Sequence, residues 1–431
     1  MHIKSIRIID FRGIEDRTFE FNSSFNVLIG ENGSGKTSVL EALAAAINSY
    51  VAVSQSSNPR PIRKEDVHIK TFEHSNERKT KTSLQIVGEI DNKKVEWEIK
   101  KVHMDFGFRH GNENEIKDIA KKHLNILSED GGVNILLPVF DYLGCGRLFQ
   151  DNKPDTKAIK TLPKGSRYEG YNKCLESTSS IKRFTEWFKT MTLSGLQGNE
   201  ASKWKVEVVK QAVINCLEGW DSIYFGIEED QLMAVKSLDN ESIKLPVSYL
   251  SDGQRNIIGM VADIAYRCVL LNPYLELDAT KRSPGIVLID ELDLHLHPKW
   301  QRTFISKLKE TFPKIQFITT THSPFIVQSL VNKELIDLQG KNMNDDYLKI
   351  GLEDIVEGEM GVKESNRSER FLEMKKVADE YYKLIIKGKE VNNPNEVNTI
   401  KEKLEKLMLP FYDDPAYVTY LESFQHILTN K

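Results

Sequence analysis

Two short stretches hold residue types that together could handle a triphosphate. The first is Gly30-Glu31-Asn32-Gly33-Ser34-Gly35-Lys36-Thr37-Ser38. It matches the phosphate-binding pattern G-x-x-x-x-G-K-[ST] in full. Glycines let the backbone curl until several N–H groups face one anion. A helix starting near Lys36 would aim the positive end of its dipole at the same anion. Lys36 then supplies a cation for the β- and γ-phosphates, and the Thr37 hydroxyl ligates magnesium. Asn32, Gly33, Ser34, Gly35 and Ser38 complete the expected nucleotide-binding set. The second stretch is Asp290-Glu291, which closes the apolar run from Gly285 to Ile289. There Asp290 would join the magnesium shell, and Glu291 would polarise the attacking water as general base. Adjacent strand residues point to opposite faces, but the strand ends here, so both carboxylates can line one site.

Two further motifs lie nearby. Leu250-Ser251-Asp252-Gly253-Gln254-Arg255 precedes apolar residues at helical spacing, Ile257, Ile258, Val261, Ile264 and Ala265. Ser251 or Asp252 is a good helix N-cap, and Gly253 permits close approach. Such a helix start binds anions. It does not easily serve the P-loop of its own chain, because both helix starts need the same phosphate from opposite sides. In Thr319-Thr320-Thr321-His322-Ser323-Pro324, Ser323 caps a helix whose first position is Pro324. His322 therefore falls at a strand end, where α/β sheets place ligands. It can hydrogen-bond a γ-phosphate or position water, so Glu291 and His322 form the expected catalytic pair.

Several elements must position these residues. Ile3, Ile6 and Ile8 mark a first strand, and Phe19 and Phe21 a second. The run Phe25 to Ile29 reads as a buried central strand, followed by the glycine loop and by a helix carrying Val39, Leu40, Leu43 and Ile47. Residues 51–130 read as an insertion. It holds a hairpin from Lys81 to Val102, turning at Asp91-Asn92, and a charged helix from Glu113 to Leu127. A strand from Val133 to Leu143 follows, then a mobile polar loop over 150–172. Two helices, Thr178 to Leu193 and Glu200 to Leu217, fall in a helical lobe over 173–220, and a strand pair from Ser222 to Val235 follows. The three motifs that follow the P-loop cluster in 247–330. The reading is one α/β head over 1–345 and a helical region over 346–431.

Composition narrows the function classes. The net charge is −4 and the pI about 6.3, so bulk charge does not hold nucleic acid. Any such contact needs a local patch. Arg60, Arg63, Lys64, Lys70, Arg78, Lys79 and Lys81 offer one, diluted by Glu65, Asp66, Glu73 and Glu77; a solvated loop explains the same residues. Cys145, Cys174, Cys216 and Cys268 include no Cys-x-x-Cys pair, which fits a reducing cytoplasm and gives no zinc signature. No apolar run reads as a membrane span. No nuclease motif stands out. Asp293, His295 and His297 could suggest a metal site, but metal ligands need more convergence than this.

The order Phe11-Arg12-Gly13, P-loop, Leu-Ser-Asp-Gly-Gln, Ile-Asp-Glu, Thr-His-Ser-Pro resembles the ABC-type ATPase heads of the SMC, RecF and OLD families. The implied fold is a P-loop NTPase of ABC-like head type, a mixed sheet with a β-rich lobe and a helical lobe, plus a C-terminal helical tail. The implied ligands are ATP and Mg2+. Arg12 becomes a candidate phosphate contact. Ser251, Asp252, Gly253 and Gln254 become a signature motif that acts in trans, across a dimer that sandwiches ATP. Asp290 to Gln301 resembles the D-loop variant of small bacterial AAA-type ATPases, with His297 where transporters often have aspartate. Gln150 and Asp141 both stand as candidates for the Q-loop position. Overall layout, including Leu137 to Tyr142 leading to Gly146-Arg147-Leu148, Tyr381-Tyr382 and Pro410-Phe411-Tyr412 in the tail, is similar to the PtuA family of Septu and retron anti-phage systems. That resemblance implies a regulator of a partner PtuB-like HNH nuclease, assembled as a dimer or higher oligomer without a membrane. Nucleic acid, and in retron settings a reverse transcriptase and retron DNA, would be met through the complex. A RecF- or SMC-like repair ATPase acting directly on DNA is the alternative.

Overall fold

Four runs of sequence are buried at every position, and they fix the centre of the molecule: 25–29, 139–143, 285–289 and 315–320. Strands buried on both faces belong in a parallel sheet covered on both sides. A computed structural model describes this arrangement for all residues except 55–59, 103–110, 131–134, 149–165, 178–180, 239–240, 332, 341–346, 362–367, 387–393 and 409–431.

The chain begins with β1 (His2–Phe11), β2 (Ile14–Glu20), β3 (Phe25–Ile29) and α1 (Lys36–Val51). A short ribbon follows, β4 (Ile69–Thr71) and β5 (Asn76–Arg78), then β6 (Lys81–Ile90), β7 (Lys93–Val102), α2 (Asn114–Asp130) and β8 (Val139–Leu143). Helices α3 (Ile181–Leu196) and α4 (Glu200–Cys216) precede β9 (Ser222–Gly226), β10 (Gln231–Leu238) and β11 (Glu241–Pro246). Then come α5 (Asp252–Leu271), α6 (Ala279–Arg282), β12 (Gly285–Ile289), α7 (Pro298–Thr311), β13 (Ile315–Thr320), α8 (Pro324–Gln328) and β14 (Leu335–Asp337).

The central sheet runs β14-β3-β13-β12-β8, and every neighbouring pair is parallel. Its strands therefore end on one edge, which is where such sheets bind ligands. Helix α1 is alanine-rich and buried nearly all round. By length and hydropathy Lys36–Ser54 could cross a membrane, contrary to the sequence expectation, but most of it is buried in the core of this protein.

A second sheet, β2-β1-β6-β7, is antiparallel. This corrects the reading of 51–130 as a separate insertion. Strand β6 pairs with β1, placing Ile86 opposite Ile6 and Leu84 opposite Ile8, so the hairpin completes the β-rich lobe. Its turn falls at Asp91 and Asn92, both at positive φ, as a tight hairpin requires. Trp97 of β7 is buried, and its indole N–H donates to the Ala46 carbonyl of α1 at 3.2 Å.

Other expectations shift by a few residues. The strand expected from Val133 begins at Val139, because Pro138 cannot donate to a ladder. Most of the loop expected over 150–172 lies outside the described residues, but Arg167–Tyr171 forms a short turn. There Tyr171 is buried, and Arg167 donates to the carbonyls of Leu271 and Ile135 at 2.7 and 2.6 Å. Strand β11 was not expected: Ile243 and Leu245 alternate with Ser242 and Lys244, but the run is short and largely exposed. The chain divides into Met1–Ile355 and Val356–Lys431, ten residues later than the expected 345/346 boundary. In the second unit, helices Glu369–Ile386 and Pro394–Met408 pack through Met374, Val377, Ala378 and Leu404. The tail motif Pro410-Phe411-Tyr412 lies outside the described residues.

Candidate functional site

The glycine loop leaves β3 at Ile29 and must reverse within six residues to start α1. Gly30, Gly33 and Gly35 make that turn at φ of 150°, 83° and 99°. A residue with a Cβ would be strained at Gly33 and Gly35. Gly35 is the N-cap of α1 and offers no side chain to the first turn, so the helix start keeps its N–H groups available. Lys36 is mostly buried. Its Nζ donates to the carbonyls of Gly30 at 2.8 Å and Glu31 at 3.0 Å. Burial lowers the pKa of this amine, and the charges of Asp290, Glu291 and Asp293 oppose that shift.

Strand β12 delivers the acidic pair. The Asp290 N–H donates to the Leu143 carbonyl at 2.8 Å, which continues the β8 ladder one step past the strand. Asp290 accepts from Thr37 Oγ1 at 2.9 Å on one carboxylate oxygen and from Thr320 Oγ1 at 2.6 Å on the other. The Glu291 N–H donates to Thr320 Oγ1 at 2.7 Å. Glu291 adopts φ +51°, which breaks strand alternation, so its carboxylate and that of Asp290 line the same cleft.

That cleft has a volume of about 220 Å3 and is lined by Asn32, Gly33, Gly35, Lys36, Thr37, Ser38, Asp290, Glu291, Thr320 and His322. His322 stands on the loop between β13 and α8. Its N–H donates to Asp293 Oδ1 at 3.3 Å, and the Thr321 hydroxyl donates to the same oxygen. Ser323 caps α8 and donates to Gln301 Oε1 at 2.6 Å. The Ser34 hydroxyl, on the same loop, is buried and without a hydrogen-bond partner among the described residues. Oxygen donors on Thr37 and Asp290 suit a hard divalent cation such as magnesium.

Two residues that pattern reasoning missed belong here. Thr320 holds both members of the acidic pair, one through its hydroxyl proton and one through its oxygen. Cys145 follows the end of β8. Burial and the adjacent carboxylates of Asp290 and Glu291 push its thiol pKa up to about 12. Their shared signal is a position at the end of a strand neighbouring β12.

Several expected residues lie elsewhere. Ser251, Asp252, Gly253 and Gln254 do not line the cleft of their own chain. Ser251 is the N-cap of α5, with Gln254 closing a reciprocal capping box, and Asp252 pairs with Arg255. Gly253 packs on the D-loop: an added Cβ would lie 2.3 Å from the His295 carbonyl oxygen. Asn256 Nδ2 donates to the Leu294 carbonyl at 2.8 Å. Arg12 also does not line the cleft of its own chain. Its guanidinium donates to Asp66 at 2.8 Å and lies 3.7 Å from Glu41, so nearby carboxylates hold it off the cleft. Arg60, counted in the basic patch, is likewise turned inward and paired with Glu41. Asp141, one of the two Q-loop candidates, is buried 3.2 Å from Arg267 and does not line the cleft; burial raises its pKa. Gln150 lies outside the described residues. His297 caps α7 by accepting from the Lys299 N–H at 3.2 Å, while Asp293 is engaged by Thr321, so these two do not converge on a metal.

Two family models match this sequence, an AAA domain over residues 5–213 and an AAA ATPase domain over residues 113–327. Their matched regions contain the P-loop, the acidic pair and His322. The chain is an ATPase. This ATPase is 26% identical over 381 residues to the Retron Vc95 probable ATPase of Vibrio cholerae serotype O1 biovar El Tor, covering 78% of this chain and 73% of that one. It is 24% identical over 407 residues to the Retron Ec83 probable ATPase of Escherichia coli, covering 78% and 71%. It is also 26% identical over 422 residues to the Septu protein PtuA of Bacillus thuringiensis, covering 89% and 93%. Likeness to the DNA replication and repair protein RecF of Francisella tularensis subsp. novicida (strain U112) is confined to 43 residues, 10% of this ATPase, at 46% identity.

Proposed function

We propose that this ATPase binds ATP with magnesium in the cleft beside α1 and works as the nucleotide-operated regulator of a nuclease in an anti-phage defence complex. One observation supports the site assignment most directly. A single carboxylate, Asp290, accepts from Thr37 of the P-loop on one oxygen and from Thr320 of β13 on the other. That arrangement ties the phosphate loop to the acidic strand end before any ligand arrives.

In this reading Lys36 exchanges the Gly30 and Glu31 carbonyls for β- and γ-phosphate oxygens. The uncapped start of α1 adds its N–H groups, and the orphaned Ser34 hydroxyl gains an acceptor. Thr37 and Asp290 would hold magnesium, which neutralises developing phosphate charge. Glu291 accepts the proton of the attacking water, and His322 orients that water or the γ-phosphate. The start of α5 from a second copy closes the site from the opposite side. Fast coupled turnover is not required: such a site can act as a latch that reports nucleotide level.

The defence role rests on similarity to the retron and Septu ATPases over most of the chain. It assigns cleavage to a partner, an HNH nuclease, and leaves nucleotide control to this chain. The test is reconstitution. The purified ATPase alone should leave DNA and tRNA intact. Cleavage should appear only with the nuclease encoded beside it, and ATP should modulate it. Robust cleavage by the ATPase alone defeats the proposal. The RecF likeness motivates a second reading, direct action on DNA, which predicts tight and steeply salt-dependent DNA binding by this chain alone.

A further inference from the structure

The cleft grips a triphosphate but offers little to a base. Among the described lining residues the only ring is the imidazole of His322, and the rest are glycine or short polar and charged side chains. A purine presents a broad π-face, which proteins commonly hold by stacking an aromatic side chain on it. One aromatic side chain stands out as a free platform. Tyr249 is 78% exposed, more than any other large apolar or aromatic residue that stands exposed among the described residues.

This exposure is built into the fold. Tyr249 closes a single 3-10 turn, Val247–Tyr249, wedged between the end of β11 at Pro246 and the start of α5. The Leu250 N–H donates to the Val247 carbonyl at 3.1 Å. Val247 and Leu250 are both buried, so they anchor the turn, and Ser248, Tyr249 and Ser251 are left facing outward together. Buried anchors flanking an exposed tyrosine are the pattern of a recognition residue, since tyrosine combines large contact area with few rotatable bonds. The ring is carried two residues before Ser251, the cap of α5. Two residues of extended chain span at most about 7 Å. If the start of α5 meets a γ-phosphate, the Tyr249 ring falls within reach of the same nucleotide.

We infer that Tyr249 stacks on the purine of the ATP held by a second copy of the chain, so that each composite site takes its phosphate grip from one copy and part of its base grip from the other. The ligand class is a purine nucleoside triphosphate, and Tyr249 favours it over bare triphosphate. The inference rests on the sandwich arrangement proposed above.

The experiment uses the full-length chain carrying Glu291→Gln to suppress turnover, with association followed by light scattering as ATP or inorganic triphosphate is raised. Adding Tyr249→Ala should raise the ATP needed for pairing about tenfold, a stacking contribution of ordinary size. Tyr249→Phe should behave as its parent, and inorganic triphosphate should not distinguish the variants. The trans geometry has its own readout. A Lys36→Ala chain offers no working P-loop, so the one live site of its pair with the parent is the parent's; adding Tyr249→Ala to the Lys36→Ala chain should weaken that mixed pair about tenfold, and adding it instead to the chain with the intact P-loop should change little. The inference is overturned if Tyr249→Ala pairs at parental ATP concentrations, or if the mixed pair is weakened equally whichever chain carries Tyr249→Ala. It is also overturned if Tyr249→Ala weakens pairing equally with ATP and triphosphate, which would make the ring a protein–protein anchor. A parent that stays single at saturating ATP sinks the sandwich itself, and that outcome is seen without touching Tyr249.

Discussion

Two helices of this ATPase start at glycine-containing motifs, and their starts are prepared in opposite ways. Helix α1 follows Gly35, which supplies no side-chain cap, and the nearest cation, Lys36, is parked on two backbone carbonyls. Helix α5 follows Ser251, and its first turn is closed by the Ser251–Gln254 capping box. Exposed helix starts without a cap are ready for an anion, whereas a capped start must surrender its cap to take one. The first site is therefore preformed for phosphate in a single chain. The second is stable without phosphate and gains nothing from its own cleft. This difference gives a physical reason for the proposed composite site, which would load nucleotide in one copy and be completed later by another.

Substitutions at the two starts should separate these roles. The largest effect is expected at the acidic strand end that serves α1. Glu291→Gln should leave nucleotide affinity intact and slow turnover about 100- to 10,000-fold, the range for losing a general base; unchanged phosphate release would remove Glu291 from that role. Lys36→Ala removes the cation from the preformed site. A charged hydrogen-bonding group of this kind contributes about 1.5–3 kcal/mol, so affinity for a fluorescent ATP analogue should fall about 10- to 100-fold. An unaltered Kd would mean that the backbone N–H groups alone carry the phosphate.

At α5 the effects should be smaller and structural. Gly253→Ala places a methyl group against the His295 carbonyl, and overpacking of this kind costs about 1–3 kcal/mol. Thermal denaturation should register that loss, while analogue binding by the isolated chain stays as it was. Ser251→Ala removes the cap, at a cost of about 1 kcal/mol in urea unfolding. If α5 waits in reserve, this variant binds ATP normally as a single chain and fails only in ATP-dependent pairing. Weakened binding by the single chain would erase the contrast between the two helix starts.

The rigidity behind α5 comes from buried charge. Arg267 lies 3.2 Å from Asp141 of β8 and 3.3 Å from Asp263, and its Nη1 donates to the Gly170 carbonyl at 2.8 Å. Removing one partner of such a buried cluster leaves uncompensated charge. Neither the Arg267 position in an apolar helix pattern nor the Asp141 position in an apolar strand announces this. Asp141 could pass for a site residue in the sequence because its strand leads toward the cleft.

What the sequence determined by itself was local. The P-loop pattern, the short apolar-rich runs that became β3, β8, β12 and β13, and the hairpin turn at Asp91-Asn92 are all read from neighbours in the chain, because periodicity and glycine conformation act over a few residues. Lys36, Thr37, Asp290, Glu291 and His322 were legible for the same reason, and the cleft gathers all five. Only the tertiary structure decided the rest. Thr320 and Cys145 join the acidic pair because β13 and β8 flank β12, a neighbourhood that sheet order sets and sequence order does not. Arg12 leaves the cleft because Asp66, 54 residues away, and Glu41 hold its guanidinium. Charge pairing chooses partners by distance in space, and that distance exists only once the chain has folded.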